Sequence, residues 1–238
     1  QRREQLAKTK YIDDGRPSGA ENMARDLALL DRAIAGGGPL LRIYGWARPT
    51  LSLGYFQNED EVVEAGAAEC LGVDVVRLFT GGGAILHQHE VTYAIALPAS
   101  HPWAKLDVND SYLAITRPLL DLLRAQGVEA KFRGGDDPAV KTPNCFAGSA
   151  CPVIVVQGRK LFGSAQRRKN GAVLQHGSLL LDIDALLWTG VFGPRLGDGF
   201  ISLAEAKPGL NLDWPMALKK AYKVALDEPG QSGKACQA

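Results

Sequence analysis

This sequence has no apolar run approaching the ~18 residues that a membrane-spanning helix needs. Neither charge is in surplus: 27 Lys and Arg stand against 26 Asp and Glu, a net charge of +1, which argues against bulk attraction to nucleic acid or to a membrane surface. A secretory leader is not visible, because Gln1-Arg2-Arg3-Glu4 is charged and no apolar core follows. The chain opens on Gln instead of Met, so upstream sequence is expected to be missing. Cysteine is scarce. Cys70, Cys145, Cys151 and Cys236 match no Cys-x-x-Cys spacing, and four in a chain this long make no disulfide framework. A reduced, cytoplasmic setting is the expectation. Glycines 81 to 83 follow a strand, but no further glycine and helix start complete a dinucleotide loop, and no Gly-Lys-Ser/Thr completes a phosphate loop. His87 and His89 have the spacing of one strand face, yet no third ligand lies near them in sequence, so no metal is expected.

What is present is an ordinary globular profile: 238 residues, 46% hydrophobic and 22% charged. Met23, Leu27, Leu30 and Ile34 fall at helical spacing behind Ser18, a possible N-cap, and Gly36 to Gly38 stop that helix. Leu40–Trp46 and Thr50–Phe56 read as strands, Asn58–Leu71 as one helix, and Val73–Arg77 and Glu90–Leu97 as strands. A helix capped by Asp107 or Asn109 runs to Gly127, and Glu129–Phe132 is a strand. The stretch 134–146 is a long loop holding Cys145 near its end, and loops of that length tend to be functional or disordered. Pro152–Gln157 is a short strand ended by Gly158. Ala172–Asp182 is another, broken at His176-Gly177. Helices follow at Ile183–Val191 and Trp214–Leu226. Hairpin-like strand neighbours with helices between blocks predict an α+β fold. The expectation is a single catalytic domain over residues 1–226, with a mixed, mainly antiparallel sheet flanked by helices, and a flexible tail from 227 to 238.

Several residues in this frame are suited to chemistry. The backbone of the glycine run can lie flat against a ligand and offer N–H groups to an anion or a carbonyl. Lys160 follows the Gly158 turn, and Gly163, Ser164 and Ala165 keep side chains small where a ligand could approach. A lone lysine at a turn is more often simply solvated. Cys145 is a loop thiol whose thiolate fraction Lys141 or Lys160 would raise, although a loop cysteine is more often structural. Cys151 reads as structural, and Cys70 as a small buried hydrophobe near a helix end.

The chain from about residue 15 to 226 resembles the lipoate–protein ligase and octanoyltransferase family, relatives of biotin ligase, and four blocks carry the resemblance. They are Ser18–Met23; Trp46–Gln57, similar to a W-x-x-P-x-L-S-L-G-x-x-Q strand pair; Arg77–His87, similar to an R-R-x-(S/T)-G-G-x-A-V-x-H signature; and Gly158–Gln166 with Gln175–Gly177, similar to a G-R-K-x-x-G-S-A lysine strand and its partner. The resemblance implies an acyl pocket walled by Arg77, Gly81, Gly82, Gly83 and His87. It also implies that His176 lines the pocket from the partner strand and that Lys160 points at the acyl carbonyl, beside Gly163, Ser164 and Ala165.

Two chemistries occur in that family. One transfers octanoyl from acyl carrier protein to a lipoyl-domain lysine through a cysteine thioester, and needs no cofactor. The other activates free lipoate with ATP and magnesium. Asn144-Cys145-Phe146 resembles the cysteine-bearing segment of the transferases, with Cys145 as nucleophile. The expectation is also that the chain has no room for the accessory domain of many ligases. Leu78 and Gln88 replace an arginine and an aspartate of the usual signature, and the lost cation weakens the ligase reading more. After Cys145-Phe146, residues 147–151 depart from the family run. The expected partners are octanoyl-acyl carrier protein and a lipoyl-domain protein, either a 2-oxo acid dehydrogenase acyltransferase subunit or the glycine cleavage H protein. ATP-dependent lipoate ligation is the alternative, and a non-catalytic lipoate-binding module is a third reading.

Overall fold

The computed structural model describes residues 7–133, 153–193 and 199–229. In chain order the first elements are β1 (Lys10–Asp13), α1 (Gly19–Ile34), β2 (Leu40–Tyr44), β3 (Thr50–Leu53), α2 (Glu59–Val62), α3 (Ala67–Cys70), β4 (Asp74–Arg77), β5 (Ile85–His87) and β6 (Glu90–Leu97). They are followed by α4 (Val108–Ala125), β7 (Lys131–Phe132), β8 (Ile154–Val156), β9 (Arg159–Lys169), β10 (Ala172–Leu180), α5 (Ala185–Phe192), α6 (Leu203–Ala206) and α7 (Trp214–Asp227). Seven strands make one sheet in the order β1-β2-β6-β10-β9-β8-β7, and three make a second in the order β4-β3-β5. β1 with β2 and β3 with β4 are parallel, and the other pairs are antiparallel. The fold is thus α+β, with mixed sheets flanked by helices. No described helix is long and apolar enough to cross a membrane.

Alternation along the central strands puts different residues on the two faces of the large sheet. Leu41, Ile43, Tyr93, Ile95, Phe162, Val173 and Leu179 form the main core with α4 and α7. The other face carries Leu40, Tyr44, Ala94, Ala96 and Leu174 against α1. The small sheet has its own core, in which Leu51, Leu53 and Leu86 meet Trp188 and Phe192 of α5. α1 starts where its sequence says it should: Ser18 and Glu21 form a capping box, each accepting from the other's backbone N–H.

Several expectations are corrected. The stretch 58–71 is not one helix, because Gly66 takes a left-handed conformation at φ 71° and separates two single turns. Cys70, in the last residue of the second turn, is exposed instead of buried. Lys160 follows the Gly158 turn as expected, as the second of the 11 residues of β9. His176-Gly177 does not interrupt β10. The turns lie at Gln157-Gly158 and Asn170-Gly171, where both central residues have positive φ (52° and 76°, 51° and 79°), as two-residue hairpins require. β5 stops at His87, so His89 does not share its face: His87 is buried and His89 exposed. Asp227, expected to open the tail, is helical and accepts a hydrogen bond from the Thr9 N–H at 3.0 Å, and residues 230–238 lie outside the described residues. Cys145 and Cys151 lie outside the described residues.

Candidate active site

A cleft of about 70 Å³, open to solvent at its mouth, lies between the α1-facing side of the large sheet and the small sheet. Its floor is built from cross-strand rows. In one row Gly163 faces Ser178, Ser178 faces Thr92 and Thr92 faces Tyr44. In the next, Ala165 faces His176, His176 faces Ala94 and Ala94 faces Arg42. Side chains two apart on a strand share a face, so both rows point into the cleft.

A bulge delivers Lys160 to this floor. Ile154 pairs with Phe162 and Val155 with Lys160, so Leu161 has no partner of its own. Without that extra residue Lys160 would share the core-facing side with Phe162, and bulges commonly re-aim a side chain in this way. The Lys160 backbone is then pinned on both polar groups, its N–H donating to the Gly199 carbonyl at 2.8 Å and its C=O accepting from Ile201 N–H at 3.0 Å. The side chain lies across Gly163: a Cβ there would be 2.3 Å from Lys160 Cε and 2.5 Å from Nζ. Among the described lining residues Lys160 is the only one with a fixed positive charge.

Two buried imidazoles flank the cleft, each held at both nitrogens. His176 Nδ1 is 3.0 Å from Asp26 Oδ2, and its Nε2 is 2.9 Å from Thr80 Oγ1. Asp26 is fully buried and also accepts from Arg42 Nη1 at 2.6 Å and from Tyr44 Oη at 2.8 Å. Burial first, and then the Asp26 charge, push the Tyr44 hydroxyl well above its ordinary range, so it keeps its proton and donates. His87 contacts the Glu90 carboxylate through Nδ1 and lies 2.8 Å from Ser52 Oγ through Nε2. Trp46 stacks on the His87 ring at 3.9 Å between centroids. Arg42 draws on residues 14, 22 and 26, so α1 and the loop before it carry the counter-charges of β2.

The predicted site residues divide into two groups. Lys160, Gly82, Gly83, His87, Gly163, Ser164, Ala165 and His176 all line the cleft. Ser164 does so by its backbone, since alternation puts its side chain on the Phe162 side, and its Oγ is buried without a partner among the described residues. Arg77 and Gly81 are not among the lining residues. Arg77 instead donates to the Gln57 carbonyl at 2.6 Å and the Gly54 carbonyl at 3.2 Å, and so ties down the turn that backs the glycine run. That turn touches the run directly: Tyr55 N–H donates to the Thr80 carbonyl at 3.1 Å, and a Cβ at Gly54 would sit 2.1 Å from the Gly82 carbonyl oxygen. Leu78 lines the cleft and keeps an apolar wall where the family pattern has its second arginine.

Sequence reasoning did not single out Asp26, Glu90, Thr92 or Ser178. Their signal is weak in one dimension, because buried Asp and Glu and strand hydroxyls become conspicuous only when their partners are known. Glu90 alone carried a hint, as a carboxylate opening an apolar strand three residues after His87.

Among the described residues the arrangement is a cleft with hydrogen-bonded polar walls and one ammonium, beside the point where the described pairing of β8 with β9 ends at Phe162. The described residues contain no cluster of three or more His, Cys, Asp or Glu placed to hold a metal. Known proteins fit this picture. Octanoyltransferase LipM of Carboxydothermus hydrogenoformans is 45% identical over 176 residues, 74% of this chain and 65% of that protein. Octanoyltransferase LipM of Geobacillus kaustophilus is 39% identical over 191 residues, 77% of this chain and 69% of that protein. The chain therefore spans slightly less than two-thirds of the first of these relatives. Among solved structures, a putative lipoate protein ligase from T. acidophilum superposes with a TM-score of 0.75 at 21% identity, covering 92% of this chain and 86% of that one. Lipoate-protein ligase A bound with ATP gives 0.76 at 21% identity, with the same coverage of 92% and 86%. The model of the lipoyl protein ligase A/B catalytic domain matches residues 18–195, a span that holds the bulged lysine strand, both histidines and the glycine run, and to that family the chain belongs.

Proposed function

We propose that the protein is an octanoyltransferase of lipoate biosynthesis, moving octanoyl from acyl carrier protein to the lysine of a lipoyl-domain protein without ATP. The observation that carries this reading is the ammonium of Lys160, the one fixed cation among the described lining residues, laid over Gly163 in a cleft that Leu78 keeps apolar. One fixed cation suits the developing charge of one acyl carbonyl, whereas an acyl-adenylate would also need cations for phosphates. The likeness to octanoyltransferases at 39–45% identity supports the same choice.

In this reading Cys145 is the nucleophile. Its sulfur attacks the octanoyl thioester, the carrier leaves as a thiol, and an acyl-enzyme remains. The acceptor lysine's amine then attacks, the amide forms and the Cys145 thiol is released. Lys160 stabilises the oxyanion in both steps. The glycine run and the small residues of β9 let the substrate lie close to backbone N–H groups. The acceptor is a 2-oxo acid dehydrogenase acyltransferase subunit or a glycine cleavage H protein.

A paired assay with an apo lipoyl domain tests this. One reaction holds octanoyl-acyl carrier protein without ATP, and the other holds free lipoate or octanoate with ATP and magnesium. Modification in the first alone is the expected result. Modification in the second alone would overturn the proposal in favour of ligation. Cys145→Ser should abolish the octanoyl adduct on intact-protein mass spectrometry, and its persistence would remove Cys145 from the mechanism.

A further inference from the structure

We infer that Ser178 is the positioning residue for Lys160: its Oγ is the acceptor placed beside Gly163 for the ammonium to take up when the acyl donor is bound, and a line of hydroxyls ending on the Glu90 carboxylate holds it in that accepting orientation. This rests on the reading that Lys160 faces the acyl carbonyl.

Lys160 Nζ occupies the space that a side chain at position 163 would fill. Gly163 faces Ser178 across the β9–β10 pair. Opposed side chains on one face of an antiparallel pair start about 5 Å apart at Cβ. The ammonium is therefore the row neighbour of the Ser178 hydroxyl. Behind Ser178 the row continues with Thr92 Oγ1 at 2.9 Å, and Thr92 Oγ1 lies 3.4 Å from Glu90 Oε1.

Counting protons fixes the direction. An ionised carboxylate only accepts, and each hydroxyl has one proton to give. Glu90 already accepts from Gln88 N–H at 2.8 Å and contacts His87 Nδ1. Thr92 gives its proton to Glu90. Thr92 Oγ1 accepts from Trp46 Nε1–H at 3.0 Å, and its remaining lone pair takes the Ser178 proton. Ser178 Oγ also lies 3.5 Å from His87 Nδ1, but that nitrogen is directed to the much nearer Glu90 carboxylate, so Ser178 keeps a lone pair for Lys160, the next side chain along the row. Among the described residues the Lys160 ammonium has no hydrogen-bond partner in the resting site, where its neighbour is the Phe200 ring at 5.8 Å, so the Ser178 oxygen is the acceptor it has still to take up. Glu90, 8% exposed, thus acts on Lys160 through two hydroxyls instead of by direct contact.

The test is a double-mutant cycle between Ser178→Ala and Lys160→Ala, read on octanoyl transfer to an apo lipoyl domain. Ser178→Ala should lower kcat by about ten- to a hundred-fold, the worth of a hydrogen bond to a charged group, with KM for the acyl donor changed less than about two-fold. In the Lys160→Ala background the same substitution should cost nothing further. Ser178→Thr, which keeps the acceptor, should recover most of the rate. Where Ser178→Ala does not fold, Ser178→Cys keeps the shape, weakens the acceptor and carries the same test. A second arm is independent of turnover: competitive acetylation with acetic anhydride, run with octanoyl-acyl carrier protein and no acceptor present and counted by peptide mass spectrometry, should change at Lys160 by at least about three-fold in Ser178→Ala, with Lys219 unchanged. Additive losses in the cycle, or unchanged Lys160 labelling, would overturn the assignment. A wild-type protein that transfers no octanoyl would instead sink the functional reading and leave the labelling arm to decide this one.

Discussion

His176 on β10 and Asp26 on α1 meet at 3.0 Å, 150 residues apart in the chain. The contact joins the wall of the cleft to the helix that covers it. Asp26 is also where Arg42, 1% exposed, and the Tyr44 hydroxyl end their hydrogen bonds. One buried carboxylate therefore serves both the position of an imidazole and the neutralisation of a buried guanidinium.

Removing that carboxylate should be a stability lesion before it is an activity lesion. Asp26→Ala leaves Arg42 buried with only Asp14 as a charged partner, and breaking a buried pair in this way costs roughly 3–5 kcal/mol. Urea denaturation should show a loss of that order. His176→Gln, which keeps the core charge pair, should lose much less. Equal losses would place the structural demand on the imidazole instead of on Arg42.

Gly163→Ala should do the opposite. Gly163 does not have positive φ, so alanine can adopt its backbone, but the new Cβ would fall 2.3 Å from Lys160 Cε. The far end of a lysine is mobile and will swing aside. The fold should survive, with the unfolding free energy within about 1 kcal/mol of wild type, while acyl transfer falls by at least about tenfold. Retained activity with intact folding would mean that Lys160 does not act from over Gly163.

The contrast between these two sites shows what was legible in the sequence. Helix α1 was readable because its signals are local: Ser18 caps, Glu21 answers, and Gly36 to Gly38 stop it. The lysine strand and the glycine run were readable as motifs, and Lys160, Gly82 and His87 do meet in one cleft. Lys160 was read as following the Gly158 turn, and it does: Gln157 and Gly158 form the two-residue hairpin turn that leads into β9. The bulge at Leu161 has no one-dimensional signature, since it exists only relative to Ile154 and Val155. Arg77 was placed in the wall by its motif neighbours, yet it spends its donors on the carbonyls of Gly54 and Gln57. Long-range pairs such as Asp26 with His176 could not be read at all before the fold brought them together.

Acid should destabilise the protein through His101. Burial holds this imidazole down at about 4, against the opposing effect of its contact with the Leu226 carbonyl. Its Nδ1 accepts from Trp103 N–H at 3.2 Å, so the neutral form is the one built in. Above the ordinary histidine value of about 6.5 both folded and unfolded chains are neutral there, and His101 has no effect. As pH falls from about 6.5 towards 4 the unfolded chain takes up a proton that the native state refuses, and stability is lost. Below about 4 the loss levels off at roughly 3 kcal/mol. Denaturation midpoints between pH 7 and 4 should fall more steeply for wild type than for His101→Gln. Parallel curves would exclude His101 as the source.

The glycine run should tolerate change at a position its motif marks and fail at one outside it. A Cβ on Gly81 meets nothing within 4 Å, and its φ is not positive. Gly81→Ala should therefore keep stability and acyl transfer near wild type. Gly82 has φ of 103°, a conformation that costs any other residue about 1 kcal/mol or more, so Gly82→Ala should lose both. Gly54 lies outside the run, but a Cβ there would be 2.1 Å from the Gly82 carbonyl oxygen. That neighbour is backbone, held through the Tyr55–Thr80 hydrogen bond, and has no rotamer to escape into. Gly54→Ala should thus cost about 1–3 kcal/mol, as overpacking does, and should lower acyl transfer by displacing the wall of the cleft. Thermal melts and the transfer assay on the three variants give the ranking. A harmful Gly81→Ala beside a silent Gly54→Ala would mean that the run contacts substrate through Gly81 and is not braced from behind by Gly54.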